Sequence, residues 1–385
     1  MKKVVVTERI PIKLWLDDIE EGALDQAKAL ANLPFTFKHI SLMPDCHLGY
    51  SMPIGGVMAT KNVIIPAAVG FDIGCGMAFS RSSIQEISKE QIKKVMGKIR
   101  ERVPMGFNHH KDKKIWDGLL SAPTHIKVIA DELVASQYQL GTGGSGNHFI
   151  EIQMGSNGYV GAMIHSGSRN FGLKIAKYFH EVAKELCEKY HSNIPTNELA
   201  FLPMDSIEGN HYESAMNFAL DFAKESRNRM MEAIKESFVE VIPEVTFAET
   251  IDVHHNYARM EHHFNENVMV HRKGATSAKV GEIGLIPGSQ GTKSYIVNGL
   301  GNTESFMSCS HGAGRKMGRK EAQRSLNLAD EIKRLDDQGI VHSIRHAKDL
   351  DEASGAYKDI ATVMENQSDL VEIVVELSPL AVIKA

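Results

Sequence analysis

Over Ile84–Arg102, Leu173–His191 and Tyr212–Val239, apolar residues recur every three or four positions with Lys, Glu and Arg between them. That spacing lays one apolar stripe along a helix, so each stretch predicts an amphipathic helix. Shorter runs of β-branched and apolar residues at His148–Gln153, Tyr159–Ile164, Thr246–Val253 and Ser294–Val297 predict strands. The apolar run Val63–Val69 leads into a glycine-rich turn. Helices and strands interleave without a repeat, a low-complexity stretch or a boundary-marking linker. The pattern therefore predicts one intimately mixed α+β domain over residues 1–385.

Composition permits this fold and narrows the function only a little. With 43% hydrophobic and 24% charged residues, 385 residues can bury a large core. The net charge of -5 excludes a global basic field, so a nucleic-acid partner would need a local basic patch. Four cysteines, Cys46, Cys75, Cys187 and Cys309, are too few and too scattered for a disulfide framework and fit a reducing compartment. Charges interrupt MKKVVVTERIPIKLWLDD before an apolar core of signal-peptide length develops, and no apolar run approaches a membrane span. A cytoplasmic protein without a membrane partner is expected.

The candidate chemistry lies in short segments rich in glycine and small residues. Asp72 and Cys75 in FDIGCG stand three apart, so both can face one cation, and a thiolate can bridge two. His165 in HSGSR and His255 in HHNYA each follow a strand end, where loops display ligands, and His148 in GNHFIE opens a predicted strand. Taken singly, each has a bland reading: a small cysteine in a tight turn, a hydrogen-bonded core histidine. Taken jointly, they suggest one polynuclear metal centre with a nucleotide beside it.

Two motifs fail on context. Gly141, Gly143 and Gly146 match G-x-G-x-x-G, but NHFIEI after them predicts a strand where a dinucleotide fold requires a helix. PGSQGTKSY resembles a phosphate loop, yet Thr292 separates Gly291 from Lys293, so it is no Walker loop. It can still hold a nucleotide through backbone N–H groups, Ser289 and Ser294. In SCSHGAGRKMGRKEAQR, His311 precedes a helix predicted to begin near Gly314, where an anion would meet free N–H groups. Arg315, Lys316, Arg319, Lys320 and Arg324 then form the local basic patch, with Arg272-Lys273-Gly274 as an extension. An imidazole there suits a general base or a nucleophile at phosphorus.

MPDCHLGY, PAAVGFDIGCGM, GTGGSGNHFIE, HSGSR, HHNYA, RKGA, PGSQGTKSY, SCSHGAGR, DEASGAYKD and the terminal Lys384 resemble, in order, the motifs of the RtcB family of RNA-splicing ligases. The resemblance runs from about Asp45 to Lys384. It implies a ligase that uses GTP and Mn²⁺ to join an RNA 3′-phosphate or 2′,3′-cyclic phosphate to a 5′-hydroxyl, in tRNA splicing or RNA repair. It implies one Mn²⁺ on Asp72, Cys75 and His148, a second on Cys75, His165 and His255, and His311 as the nucleophile that carries GMP. Nucleotide-binding positions would be Asn147, His148, Phe149, Ile150, Glu151, His255, Asn256, Pro287, Gly288, Ser289, Gln290, Ser294, His311, Gly312, Ala313, Gly314, Tyr357 and Lys384. An archease-type activator is the further partner the resemblance admits.

Cys46 stands where many members carry Val, Ser51-Met52-Pro53 replaces a more glycine-rich continuation, and Gln290 stands for the usual Met; none removes a ligand or the nucleophile. A dinuclear phosphoesterase or nuclease acting on RNA is the alternative. It would explain the metal ligands but would not need His311 in a small-residue turn.

Overall fold

The computed structural model describes residues 1–384. Residues Lys3–Val5, Ile12–Leu14, Thr36–His47, Ile54–Thr60, Glu266–Lys273 and Asn256–His263 are the six neighbouring strands of one sheet. The pairing is antiparallel except between Ile12–Leu14 and Thr36–His47. Ile251–His254, Gly76–Arg81, Val160–Ser166, Phe149–Gly155, Val371–Ile383, Ser294–Gly299 and Ile283–Ile286 form a second, fully antiparallel sheet of seven strands. The mixed α/β character predicted from the interleaved periodicities is present.

An edge strand of each sheet meets the other at one residue. Ile251–His254 is the edge of the seven-stranded sheet, Asn256–His263 is the edge of the six-stranded one, and His255 lies between them. The predicted strand Thr246–Val253 is accordingly shorter at its start: only Ile251–His254 pairs as a strand, while Phe247 makes an isolated bridge to Ser82. The apolar run Val63–Val69 divides into a strand, Val63–Ile64, and a four-residue helix opened by Pro66.

Helices cover the sheets through their apolar stripes. Ile92, Val95, Met96 and Ile99 pack with Ile150, Ile152, Ile164, Met230, Ile234 and Phe238 against the seven-stranded sheet. Their helix starts at Lys89, five residues later than the periodicity alone predicts. There Ser88 accepts the Gln91 N–H while the Gln91 side chain accepts the Ser88 N–H, a reciprocal cap that ends the extended chain. The second predicted helix runs Arg169–Lys189, and the third runs Ile207–Val241, capped by Ser206. Phe171, Ile175 and Phe179 meet Tyr212, Phe218 and Phe222 where these two cross. Among the described residues no helix is long and apolar enough to cross a membrane.

From the middle of the long helix, the fully buried Arg227 reaches the junction of the sheets. Its Nη1 donates to the Gly74 carbonyl at 2.8 Å and the Ser166 carbonyl at 2.9 Å, and Nε and Nη2 bind both oxygens of Asp252 at 2.7 Å. Removing one partner of such a pair strands a buried charge. Arg227→Ala is expected to destabilise the fold by about 3–5 kcal/mol, measured by denaturant unfolding; a loss under about 1 kcal/mol would show that the guanidinium is not a structural tie.

Candidate active site

Three chain segments bring their ligand atoms together at the sheet junction. Cys75 ends the turn before strand Gly76–Arg81, His165 is next to last in strand Val160–Ser166, and His148 immediately precedes strand Phe149–Gly155. The pairing of Met77 with His165 and of Phe149 with His165 sets these three side by side. Cys75 Sγ lies 3.3 Å from His148 Nε2 and 3.2 Å from His165 Nε2, and all three donor atoms fall within 4.8 Å of one another. His165 Nε2 is 3.3 Å from His255 Nε2, and His148 Nε2 is 3.0 Å from Asp72 Oδ2. The neighbouring His254 points elsewhere, its Nδ1 near Arg227 and the Gly74 carbonyl.

The electrostatics of this cluster fit a cation. Burial pushes the basicity of His165 and His255 well down, so both are neutral imidazoles, the ligand form. Burial and the Asp72 carboxylate push the Cys75 thiol well up, so a thiolate there requires positive charge beside it. Three imidazole Nε2 atoms and one sulfur converge at 3.2–3.3 Å from one neighbour to the next, a nitrogen and sulfur donor set. A soft-to-borderline divalent ion would suit that set.

His311 stands beside the cluster, its ring centroid 4.7 Å from that of His255. Asp45 holds it there: Oδ2 accepts from His311 Nδ1 at 2.7 Å and from the His311 backbone N–H at 3.1 Å. Burial alone would raise the Asp45 carboxyl, but the His311 bond and nearby cations outweigh it and hold it below its ordinary value. With Nδ1–H given to Asp45, the free lone pair is on Nε2. The turn can approach this closely because Gly314 has φ +73° and any Cβ there would collide with the Asp45 carbonyl.

The cavity beyond His311 is lined by Asn147, Phe149, Glu151, Asn256, Pro287, Gly288, Ser289, Gln290, Gly312, Ala313, Gly314, Tyr357 and Lys384, together with Asp72, Cys75, His165 and His255. Strand register assembles its far wall: Glu151 pairs with Val382 and Ile150 with Ile383, so Lys384 falls opposite Phe149, its Nζ 6.0 Å from the ring centre. Burial pushes the Glu151 carboxyl up to about 8; Gln153 is its hydrogen-bond partner. Ile150 alternates to the other face and joins the core, so its side chain does not reach the cavity. Ser294 also sits behind the wall, bonding the Gly288 N–H and Gln153.

The predicted basic patch is rearranged by the fold. Beyond Gly314 the chain stays irregular until the helix Arg319–Ser325, so His311 lies eight residues before the helix start and gains no helix dipole. Arg315 and Arg319 both pair with the buried Glu352, at 2.9 and 2.7 Å, Arg315 largely buried and Arg319 still half-exposed, while Lys316, Lys320 and Arg324 are exposed. Arg272 is buried against Glu261, and Lys273 lies under the cavity floor, donating to the Tyr50 and Ala67 carbonyls. Asp45, Arg169 and Glu352 escaped the sequence reading as site residues, and Lys273 entered it only as an extension of the basic patch. The first is linked to His311 over 266 positions, which no local motif signals.

A mixed α/β fold here carries a buried thiol–imidazole cluster that could hold a metal ion, with an oriented imidazole beside it on one cavity. The family follows from likeness to known proteins. The model of the family "tRNA-splicing ligase RtcB" matches residues 26–125 and 115–385, and the chain belongs to this family. It is 37% identical to RNA-splicing ligase RtcB of Escherichia coli K12 over 99% of each chain. It is 32% identical to tRNA-splicing ligase RtcB of Thermococcus kodakarensis, over 98% of this chain and 95% of the other.

Cobalt(II) titration separates thiolate ligation from imidazole ligation. The wild type is expected to show a near-ultraviolet sulfur-to-metal band that Cys75→Ala lacks and His165→Ala keeps at weakened affinity. A band of full intensity in Cys75→Ala would remove the thiol from the metal site.

Proposed function

We propose that the protein is an RNA ligase that uses GTP and Mn²⁺ to join an RNA 3′-phosphate or 2′,3′-cyclic phosphate end to a 5′-hydroxyl, through a histidine–GMP intermediate on His311. The observation that carries this reading is the Asp45–His311–His255 arrangement: an imidazole oriented by a buried carboxylate, its free nitrogen beside a metal-ligand cluster. The names of the relatives supply the RNA and the ligase chemistry.

Asp72, Cys75 and His148 would hold one Mn²⁺, and Cys75, His165 and His255 a second, with the Cys75 thiolate shared. Bound there, the ions supply charge neutralisation for phosphates and a lowered pKa for an incoming hydroxyl. His311 Nε2 attacks the α-phosphorus of GTP; the P–N bond forms as the bond to pyrophosphate breaks. Asp45 stabilises the cationic ring while this happens. An RNA 3′-phosphate oxygen then attacks the same phosphorus, breaking the P–N bond and restoring neutral His311. The activated end carries GMP as leaving group, which a 3′-phosphate alone lacks. The 5′-hydroxyl displaces it, making the phosphodiester and releasing GMP.

Base selection falls to Glu151. Burial pushes this carboxyl up to about 8, and in its ionised form it can accept two adjacent N–H groups, which a guanine edge offers and an adenine edge does not. Phe149 and Lys384 border it. A dinuclear phosphoesterase would share the metal cluster, but it leaves the Asp45–His311 pair without a task.

Incubation with α-labelled GTP and Mn²⁺, followed by denaturing electrophoresis, tests the reading. Label should stay on the wild type and be absent from His311→Ala. Asp45→Asn should still bind metal but label roughly 10²–10⁴ times more slowly. Wild-type protein without covalent label, or His311→Ala that keeps it, would overturn the assignment. In the same assay Glu151→Ala should lose most of its preference for GTP over ATP, and an unchanged preference would place base recognition elsewhere.

A further inference from the structure

The segment Pro104–Lys114, PMGFNHHKDKK, is notable for what it exposes and for how firmly it is held. The Phe107 side chain is 93% exposed, and His109, Lys111 and Lys113 are exposed beside it. The backbone beneath is anchored at several points: Gly143 N–H donates to the Pro104 carbonyl at 2.9 Å, His110 N–H to Tyr138 at 3.0 Å and Lys114 N–H to Gln137 at 3.0 Å. Met105 fills the space over Gly143, where any Cβ would strike its sulfur.

Arg169 ties this segment to the metal cluster. Its Nη2 donates to the Gly106 carbonyl at 2.5 Å and its Nε to Thr142 Oγ1 at 3.0 Å, in the glycine loop that leads to Asn147 and His148. Its charge also acts on Asp72. Phe107 is thus presented one residue beyond a carbonyl that Arg169 ties to the glycine loop before His148. Lys111 and Lys113 make no ion pair among the described residues, in contrast to Arg315 and Arg319, which both sit on Glu352.

We propose that Pro104–Lys114 is a landing loop for single-stranded RNA next to the ends being joined, with a base stacked on Phe107 and neighbouring phosphates against Lys111 and Lys113. The assignment rests on the RNA-ligase reading above and adds the surface that holds the strand. An exposed ring flanked by His, Asn and Lys suits single-stranded nucleic acid, because every base has a stacking face and each phosphate finds a cation. A protein partner would instead bury the aliphatic side chains past the loop, Ile115 and Leu120, which are 82% and 91% exposed.

Fluorescence anisotropy with a 5′-labelled single-stranded RNA ending in a 3′-phosphate, without GTP and over a series of salt concentrations, decides between these. Phe107→Ala is expected to weaken binding about tenfold. Lys111→Glu with Lys113→Glu should lower the slope of log affinity against log salt by roughly 1.4, for two lost phosphate contacts. Ile115→Ser with Leu120→Ser should bind RNA like the wild type. Covalent labelling by GTP should be unchanged in every variant, which also shows that each is folded. Loop variants with wild-type affinity and slope overturn the landing loop, as does an effect confined to the aliphatic pair. Wild-type protein that neither takes up label nor joins RNA overturns the ligase reading itself.

Discussion

One buried guanidinium holds the segments of the thiol–imidazole cluster in register. Arg227 binds the carbonyl of Gly74, just before Cys75; the carbonyl of Ser166, just after His165; and the side chain of Asp252, three residues before His255. Each contact fixes the backbone of a different ligand. The backbone bonds His255 N–H to the Cys75 carbonyl and Gly74 N–H to the Asn256 carbonyl, both 2.9 Å, close the arrangement. Reaching this point from a helix explains why Ile207–Val241 is continuous for 35 residues: a break would release the one residue that spans the junction. A lysine could not substitute, since a single ammonium lacks the planar fork that serves two carbonyls and a bidentate carboxylate at once.

The same burial sets the protonation of the site. Neutral imidazoles at His165 and His255 and a reluctant thiol at Cys75 leave the cluster without the charge that it needs for ionised sulfur. A divalent ion would supply that charge, so the geometry and the electrostatics of the cluster suit the same occupant. His311 is treated differently. It is paired with a carboxylate held below its ordinary value, so its ring can become cationic without leaving a buried charge unpaired.

Legibility in the sequence followed range. Amphipathic spacing located Tyr212–Val239 well, because helix Ile207–Val241 buries its stripe within one element; it missed the start at Lys89, which a four-residue cap decides. Cys75, His148 and His165, each within two residues of a glycine, and His255 beside Asn256 were visible as candidates because close backbone approach leaves small residues behind. Their convergence came with strand register, and likewise Lys384 meets Glu151 only through pairing across 231 residues. The basic run after His311 misled for the same reason. Spacing showed five cations and could not show that Glu352, in the DEASGAY segment, would pair with two of them.

Glu352 gives those two arginines a definite place. Its carboxylate accepts from Arg315, Arg319 and Tyr357, its carbonyl accepts from Gln290, and the charge of Lys384 reaches it from the facing wall. Three loops that line the cavity therefore share one acceptor, and their side chains lose rotamer freedom at folding instead of at ligand binding. The compensation is partial: two guanidiniums and an ammonium face one carboxylate here, with Asp351 as the further acid nearby. A polyanion entering the cavity thus meets ordered donors with positive charge to spare, although the protein as a whole carries -5. The negative total is consistent with a local group of cations that one buried acid, Glu352, holds in place.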